Sequence, residues 1–238
     1  MKTFVMIPTY NEKENIKNLI GKILKLGIDN LHVVVVDDNS PDGTSRIVKE
    51  LSKKYKNVHL LLRTKSRGRG FSGRDGYIFC LKHGADAVVE MDADMSHDPK
   101  YIPMMLKELK NADLVLGSRR IRGGKEVGRS LLRKTITHIA NSYIRLVLGL
   151  DVMDCNSGFR CFRRKALEGI APEKLQSKGP AIVQEVLFKA HLNGFRIKEM
   201  PIVFVDRTEG NSKLGMPQII SGYFMVLKLK MQRLLGMI

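Results

Sequence analysis

Val33-Val34-Val35-Val36-Asp37-Asp38-Asn39-Ser40-Pro41-Asp42-Gly43-Thr44 is the stretch on which the reading of this chain turns. Four consecutive β-branched residues favour a strand. The absence of any polar alternation predicts burial on both of its faces. The polar turn ends that strand, and Asp42-Gly43-Thr44 opens a helix running to about Tyr55, with Asp42 placed to cap it. A doubly buried strand followed at once by a helix is the repeating unit of a parallel α/β sheet.

The same unit recurs on both sides. Phe4-Val5-Met6-Ile7 predicts a strand, followed by a helix over 11–26 whose Ile16, Leu19, Ile20, Ile23 and Leu24 share a face. Val58 to Leu62, Ala87-Val88-Val89 and Leu114-Val115-Leu116 predict further strands, with helices over 76–83 and 99–109 between them. The second half is less regular. It predicts a long helix over 130–150, strands at 159–162 and 202–205, and a helix near 183–192. Glu209-Gly210-Asn211-Ser212 reads as a loop, and residues 217–238 as a last helix without acid. The expectation is an α/β fold with a mainly parallel, Rossmann-like sheet and flanking helices over 1–214, then a C-terminal amphipathic helix over 215–238. Ligands of such sheets bind beyond the carboxyl ends of the strands. That rule places Pro8-Thr9-Tyr10-Asn11-Glu12, Asp37-Asp38-Asn39-Ser40 and Asp92-Ala93-Asp94 on one edge.

Forty-one Lys and Arg against 24 Asp and Glu, among 238 residues, give a formal net charge of +17. Such an excess favours anionic partners: nucleic acid, a nucleotide, a phosphorylated lipid or an anionic membrane. With aromatics at 6% and no base-stacking motif, nucleic acid ranks low. Three cysteines without a CxxC pair argue for a reducing compartment rather than a disulfide frame. No signal peptide or transmembrane run is expected, so membrane contact is expected to be peripheral.

Asp92-Ala93-Asp94 sets two carboxylates on one strand-end loop, where both can reach a hard cation. Mg²⁺ or Mn²⁺ so held completes its shell with waters and substrate phosphates. Asp37 and Asp38 can meet base or ribose hydroxyls, or cap the next helix. The glycine-rich, basic run 67–76 can present amides and guanidinium to phosphate, or form a mobile surface loop. Between 119 and 134 stand seven basic residues and one acid, Glu126. Arg129, Arg133, Thr137 and Asn141 recur every four residues and so share a face suited to a phosphate. Arg207 and Lys213 flank the 209–212 loop as cations on a lid. Ile220, Phe224, Leu227, Met231, Leu234 and Ile238 give the last helix a wide apolar stripe with basic flanks. That pattern fits a helix in the membrane plane, one docking a membrane partner, or one packed on its own domain.

Taken together, Ile7 to Glu12, Val36 to Thr44, Met91 to His97, Gly117-Ser118-Arg119, Ser157 to Arg160, Val205 to Arg207 and Ser212-Lys213-Leu214 resemble family 2 glycosyltransferases. Within that family they resemble the short, anchorless mannosyltransferases that act on dolichyl (polyprenyl) phosphate. The resemblance covers nearly the whole chain. It implies a nucleotide-diphospho-sugar transferase (GT-A) fold, a GDP-mannose donor, a polyprenyl phosphate acceptor and Mg²⁺ or Mn²⁺. By motif, Pro8, Tyr10, Glu12, Val36 and Asp38 would hold the nucleoside. Asp92, Ala93 and Asp94 would hold metal and diphosphate, with Ser96 as a third ligand. Arg119 and Arg133 would meet the acceptor phosphate, and Arg207 and Lys213 the donor side. The residues acting on the reacting groups would be Asp94, Arg119, Arg133 and Arg207. The enzyme would work in the cytoplasm at a membrane face, with or without a small transmembrane partner. Three positions depart from the family pattern. Ser96 stands where many relatives have Gln, Gly68-Arg69-Gly70-Phe71-Ser72 replaces the usual GLGxA loop, and Thr137 replaces Ser. An acceptor hydroxyl or a UDP-glucose donor is the rival within the family, and Glu185 would then be the base. A non-catalytic binder of anionic lipid or nucleic acid is the rival outside it.

Overall fold

A computed structural model describes residues 1–206 and 216–237. The chain alternates β1 (Thr3–Thr9), α1 (Lys13–Leu24), β2 (Leu31–Asp37), α2 (Thr44–Lys54), β3 (Val58–Leu62), α3 (Arg69–Lys82) and β4 (Ala87–Glu90). It continues with α4 (Ile102–Glu108), β5 (Leu114–Ser118), β6 (Lys125–Val127), α5 (Leu131–Leu148), β7 (Arg160–Arg163) and α6 (Arg164–Ile170). The last elements are α7 (Ile182–Leu192), β8 (Ile197–Pro201), β9 (Val203–Val205) and α8 (Met216–Leu234).

Seven strands form one sheet in the order β3-β2-β1-β4-β7-β5-β8. Every neighbouring pair is parallel except those made by β7, which runs antiparallel between β4 and β5. The valine strand behaves as its sequence predicts. Val33 and Val35 pack with Ile16, Leu19, Ile20 and Ile23 of α1 on one face. Val34 and Val36 pack with Tyr77 and Cys80 of α3 on the other. All four valines are fully buried. The three cysteines are free and buried.

One expectation is corrected. The glycine-rich run is not a loop along most of its length; α3 begins at Arg69 rather than near Gly76. Gly70, Gly73 and Gly76 lie at helical spacing on its packed side. A Cβ on Gly70 would collide with the Ser177 carbonyl oxygen, and one on Gly76 would sit 2.8 Å from Met6. Glycine is there because the helix touches backbone on one side and the sheet on the other.

The sequence reading does not anticipate β6, β8 or α6. The α8 helix buries Val226 and Leu229 against the main core, and the Tyr143 hydroxyl of α5 donates to the Tyr223 carbonyl at 3.3 Å. Its Ile220, Phe224, Leu227, Met231 and Leu234 stay exposed. Arg207, Lys213 and the 209–212 loop lie outside the described residues, as does Ile238.

Candidate functional site

The carboxyl ends of β1, β2 and β4 meet on one edge, as expected. Cross-strand register pairs Pro8 with Val36 and Thr9 with Asp37. The fully buried Asp37 accepts from the Ser40 amide at 2.9 Å, the Ser40 hydroxyl at 2.6 Å and the Thr9 hydroxyl at 2.9 Å. In turn the Ser40 oxygen accepts from the Asn11 amide, and Thr44 and Asp42 accept from the Glu12 and Lys13 amides. These bonds stitch the first two strand-end loops into one floor. Four non-glycine residues on this edge have left-handed backbones: Asn11, Asn39, Ser66 and Met95, after β1, β2, β3 and β4 respectively. Such strain is tolerated where the surrounding structure fixes it, and it gathers at functional sites.

Asp38 lies in this floor, not above it. One oxygen pairs with Arg63 and the other accepts from the Gly68 amide at 2.8 Å. Arg63 also reaches Asp75 at 2.7 Å. The Tyr10 ring lies under the Arg67 guanidinium, 5.6 Å from its centroid.

The third loop carries Asp92, Ala93 and Asp94. The Asp92 side chain is 41% exposed. Its amide donates to His97 Nδ1 at 3.3 Å, and a Cβ on Gly158 would stand 3.2 Å from its carboxylate, so Gly158 lies in close contact with it. Asp94 Oδ1 accepts from the Ser96 amide at 3.1 Å and the Ser96 hydroxyl at 2.5 Å. The expected third ligand is thus a nearly buried group that orients Asp94. Asp98 does not join the cluster; it caps the following turn through the Lys100 amide. Glu90 is buried beneath the loop.

His97, which sequence reasoning passed over, is buried and stacked on Phe159 with centroids 5.1 Å apart. Burial drives its pKa down against the pull of Asp92 and Asp94, so the ring is neutral and accepts the Asp92 amide.

Across from the acids lies the basic face. Arg119 follows β5 and makes a two-pronged pair with Asp154, 2.7 Å on each prong, which the Arg119 amide joins at 3.0 Å. Burial alone would raise the Asp154 carboxyl, but Arg119 outweighs it and holds it below the carboxylate range. Arg119 and Arg129 both lie over the Phe204 ring, at 5.1 and 5.8 Å. Arg129 reaches Glu126 at 3.2 Å and the Thr137 hydroxyl at 3.3 Å. Arg133 is half exposed and touches Asp206 at 3.2 Å. Asn141 is buried one turn deeper, bonded to the Thr137 carbonyl and to Asn156. The structure therefore brings Arg119, Arg129, Arg133 and Thr137 together. Asp154 is the second residue the sequence hides, an acid in the aperiodic connection between α5 and β7.

Two carboxylates at a strand end offer hard oxygen donors of the kind Mg²⁺ and Mn²⁺ take. Among the described residues no group of three His, Cys, Asp or Glu side chains could hold a metal ion. The donor set fits a cation that draws its remaining ligands from water and phosphate, and does not fit an all-protein cage. Glu185 is fully buried in α7, its two oxygens accepting the Gln176 and Ser177 amides at 2.8 Å each. With both oxygens so engaged, it secures the 176–177 segment.

The model of glycosyl transferase family 2 matches residues 4–171. An undecaprenyl-phosphate mannosyltransferase of Micrococcus luteus is 39% identical over 215 residues, covering 90% of this chain and 88% of the relative. A polyprenol monophosphomannose synthase of Mycolicibacterium smegmatis is 37% identical over 227 residues, 94% and 85% respectively. Among solved structures, glucosyl-3-phosphoglycerate synthase from Mycobacterium tuberculosis, in complex with Mn²⁺, UDP and glucosyl-3-phosphoglycerate, superposes with a TM-score of 0.66. The identity is 18%, over 98% of this chain and 79% of that one. At that identity the likeness is one of fold.

Proposed function

The chain belongs to glycosyl transferase family 2 and has its GT-A fold, and from that premise we propose that it transfers mannose from GDP-mannose to a dolichyl (polyprenyl) phosphate, with inversion and with Mg²⁺ or Mn²⁺. The observation that carries this reading is the division of the site. Acids at the end of β4 face a basic patch of Arg119, Arg129 and Arg133, within a chain whose mannosyltransferase relatives span about nine-tenths of it.

Asp92 and Asp94 would hold the cation, which when bound neutralises the donor diphosphate. Ser96 fixes Asp94 for that task. Pro8, Tyr10, Glu12, Val36 and Asp38 form the nucleoside end, with Asp38 and Arg63 bracing its floor. Arg119 and Arg133 orient the acceptor phosphate; Asp154 locks the first of these and leaves the second exposed. A phosphomonoester has a second pKa of about 6 and is largely dianionic at neutral pH. It is its own nucleophile at the anomeric carbon and needs no protein base. The chain's task is to align two anions and offset their repulsion. A hydroxyl acceptor would need a base, and the buried Glu185 does not provide one.

Among the described residues no helix is long and apolar enough to cross a membrane. The lipid chain of the acceptor is met instead by the exposed apolar residues of α5 and α8, lying on the cytoplasmic membrane surface or on a small transmembrane partner. Purified protein given Mn²⁺, dolichyl phosphate and either labelled GDP-mannose or UDP-glucose should form lipid-linked mannose only. Transfer from UDP-glucose alone, or no lipid-linked product, would refute the proposal. Asp94→Ala should abolish Mn²⁺-dependent GDP-mannose binding, and Arg133→Glu should abolish transfer while GDP still binds.

A further inference from the structure

Glu90 ends β4 two residues before Asp92 and is 1% exposed. A carboxylate so buried must be paired and hydrogen-bonded. Arg69 Nη2 donates to one oxygen at 2.5 Å, and the Tyr77 hydroxyl to the other at 2.5 Å. Arg160 stands opposite Glu90 in the β4–β7 register, also fully buried, and donates to the Ser157, Val183 and Cys155 carbonyls. Glu90 thus has one direct cationic partner, Arg69, whose side chain is 20% exposed, and the buried Arg160 as a second positive neighbour. Arg69 Nη2 also lies 3.7 Å from Asp92 Oδ1. The backbone leaves Arg69 little freedom, because it starts α3 between Gly68 and Gly70, both pressed against residues 177–178.

We propose that Arg69, fixed by the buried Glu90, is the positioning residue that holds Asp92 in the orientation at which the divalent cation and the donor diphosphate meet it. This rests on the metal and donor reading above. An exposed carboxylate loses rotamer freedom on ligation, and one already held loses less. A lone arginine beside Asp92 would repel the cation. Glu90 cancels that charge, while the same Nη2 that it holds stands within ion-pair distance of Asp92. The departure from the GLGxA pattern thus has a purpose: an arginine at the start of α3 serves the acids after β4.

The test is a Mn²⁺ titration in the presence of GDP, read by the electron spin resonance of free Mn²⁺, with melting temperature and acceptor KM alongside. The pair is removed together as Arg69→Leu/Glu90→Gln, since Arg69→Leu alone strands a buried charge. The double variant should bind Mn²⁺ at least about tenfold more weakly, with acceptor KM within about twofold of the parent. Arg69→Lys keeps the charge but loses the fork, and should weaken binding about three- to fivefold; it carries the same test should the double variant not fold. In an Asp92→Asn background neither change should matter further, because the effect runs through Asp92. Parent-like Mn²⁺ affinity in these variants, or losses that multiply with Asp92→Asn, would overturn the proposal. A parent that binds GDP without regard to Mn²⁺ would overturn the metal reading and, with it, the role of Arg69.

Discussion

Asp154 sets the orientation of Arg119 from a position closed to solvent. It is fully buried and carries the Arg119 guanidinium on both oxygens and the Arg119 amide as well. Asp154→Ala would strand a buried cation at a cost of about 3–5 kcal/mol. Asp154→Asn keeps one acceptor and the shape, so the fold should survive while Arg119 loses its aim. Misplacing a positioning group by an ångström can cost about a hundredfold in rate. Acceptor kcat/KM in Asp154→Asn should fall about ten- to a hundredfold, with GDP affinity within about threefold. Unchanged acceptor kinetics would remove Arg119 from the acceptor site. Motif and spacing mark Asp92, Asp94 and Arg133 in the sequence, and the structure sets the first two after β4 and the third on α5. Asp154 and His97 are not so marked, because each acts through a partner distant in sequence, and neither has a periodic neighbour to mark it.

Packing decides at α3 what local preference would not. Glycines at 70, 73 and 76 read as a loop by propensity, yet they let a helix lie against the 177–178 backbone and the sheet. Gly70→Ala would drive a methyl into the Ser177 carbonyl oxygen. It should cost about 1–3 kcal/mol or more in urea unfolding. Gly21, inside α1, has nothing within 4 Å of the point where an alanine methyl would stand. Gly21→Ala should therefore stabilise by about 0.5–1 kcal/mol. The elements the sequence concealed are short or two-faced. β6 is three residues with two charges, and β8 ends in Pro201 with only Met200 buried. At the opposite, amino edge of the sheet, His32 Nδ1 and His59 Nε2 share a hydrogen bond at 3.1 Å beside Lys2 and His83. Burial lowers both pKa values first; Lys2 follows for His32, and the His32 ring for His59. Protonation thus favours the unfolded chain, where the pKa is about 6.5. Stability should be full above that pH and decline as pH falls from about 6.5 through the lower folded values. Melting between pH 7.5 and 5 should show the loss, and His32→Gln/His59→Gln should flatten it.

At the scale of the whole molecule, a strongly basic chain also exposes apolar residues along two neighbouring helices. The α5 helix shows Leu131, Leu132, Ile136 and Ile139 to solvent, and α8, packed beside it, shows Phe224, Leu227, Met231 and Leu234. The net charge of +17 suits an anionic surface beneath such a platform. Flotation with phosphatidylserine vesicles should find the protein bound at low salt and released as salt rises. Leu132→Asp/Phe224→Asp should weaken binding about tenfold or more while leaving GDP affinity intact. Vesicle binding that ignores both salt and these substitutions would mean that another surface meets the lipid.

The antiparallel β7 has a consequence for synthesis. It lies between β4 and β5, which precede it in the chain by about seventy and forty-five residues. On a ribosome, β1 to β4 can pair as they emerge, but the slot between β4 and β5 stays open until residue 163 has cleared the exit tunnel. The Asp92 loop, whose neighbour Gly158 arrives with β7, is assembled only then. The nascent chain thus carries an unfilled sheet edge for about seventy residues of synthesis, and its donor edge and its last inner strand close in a single late event.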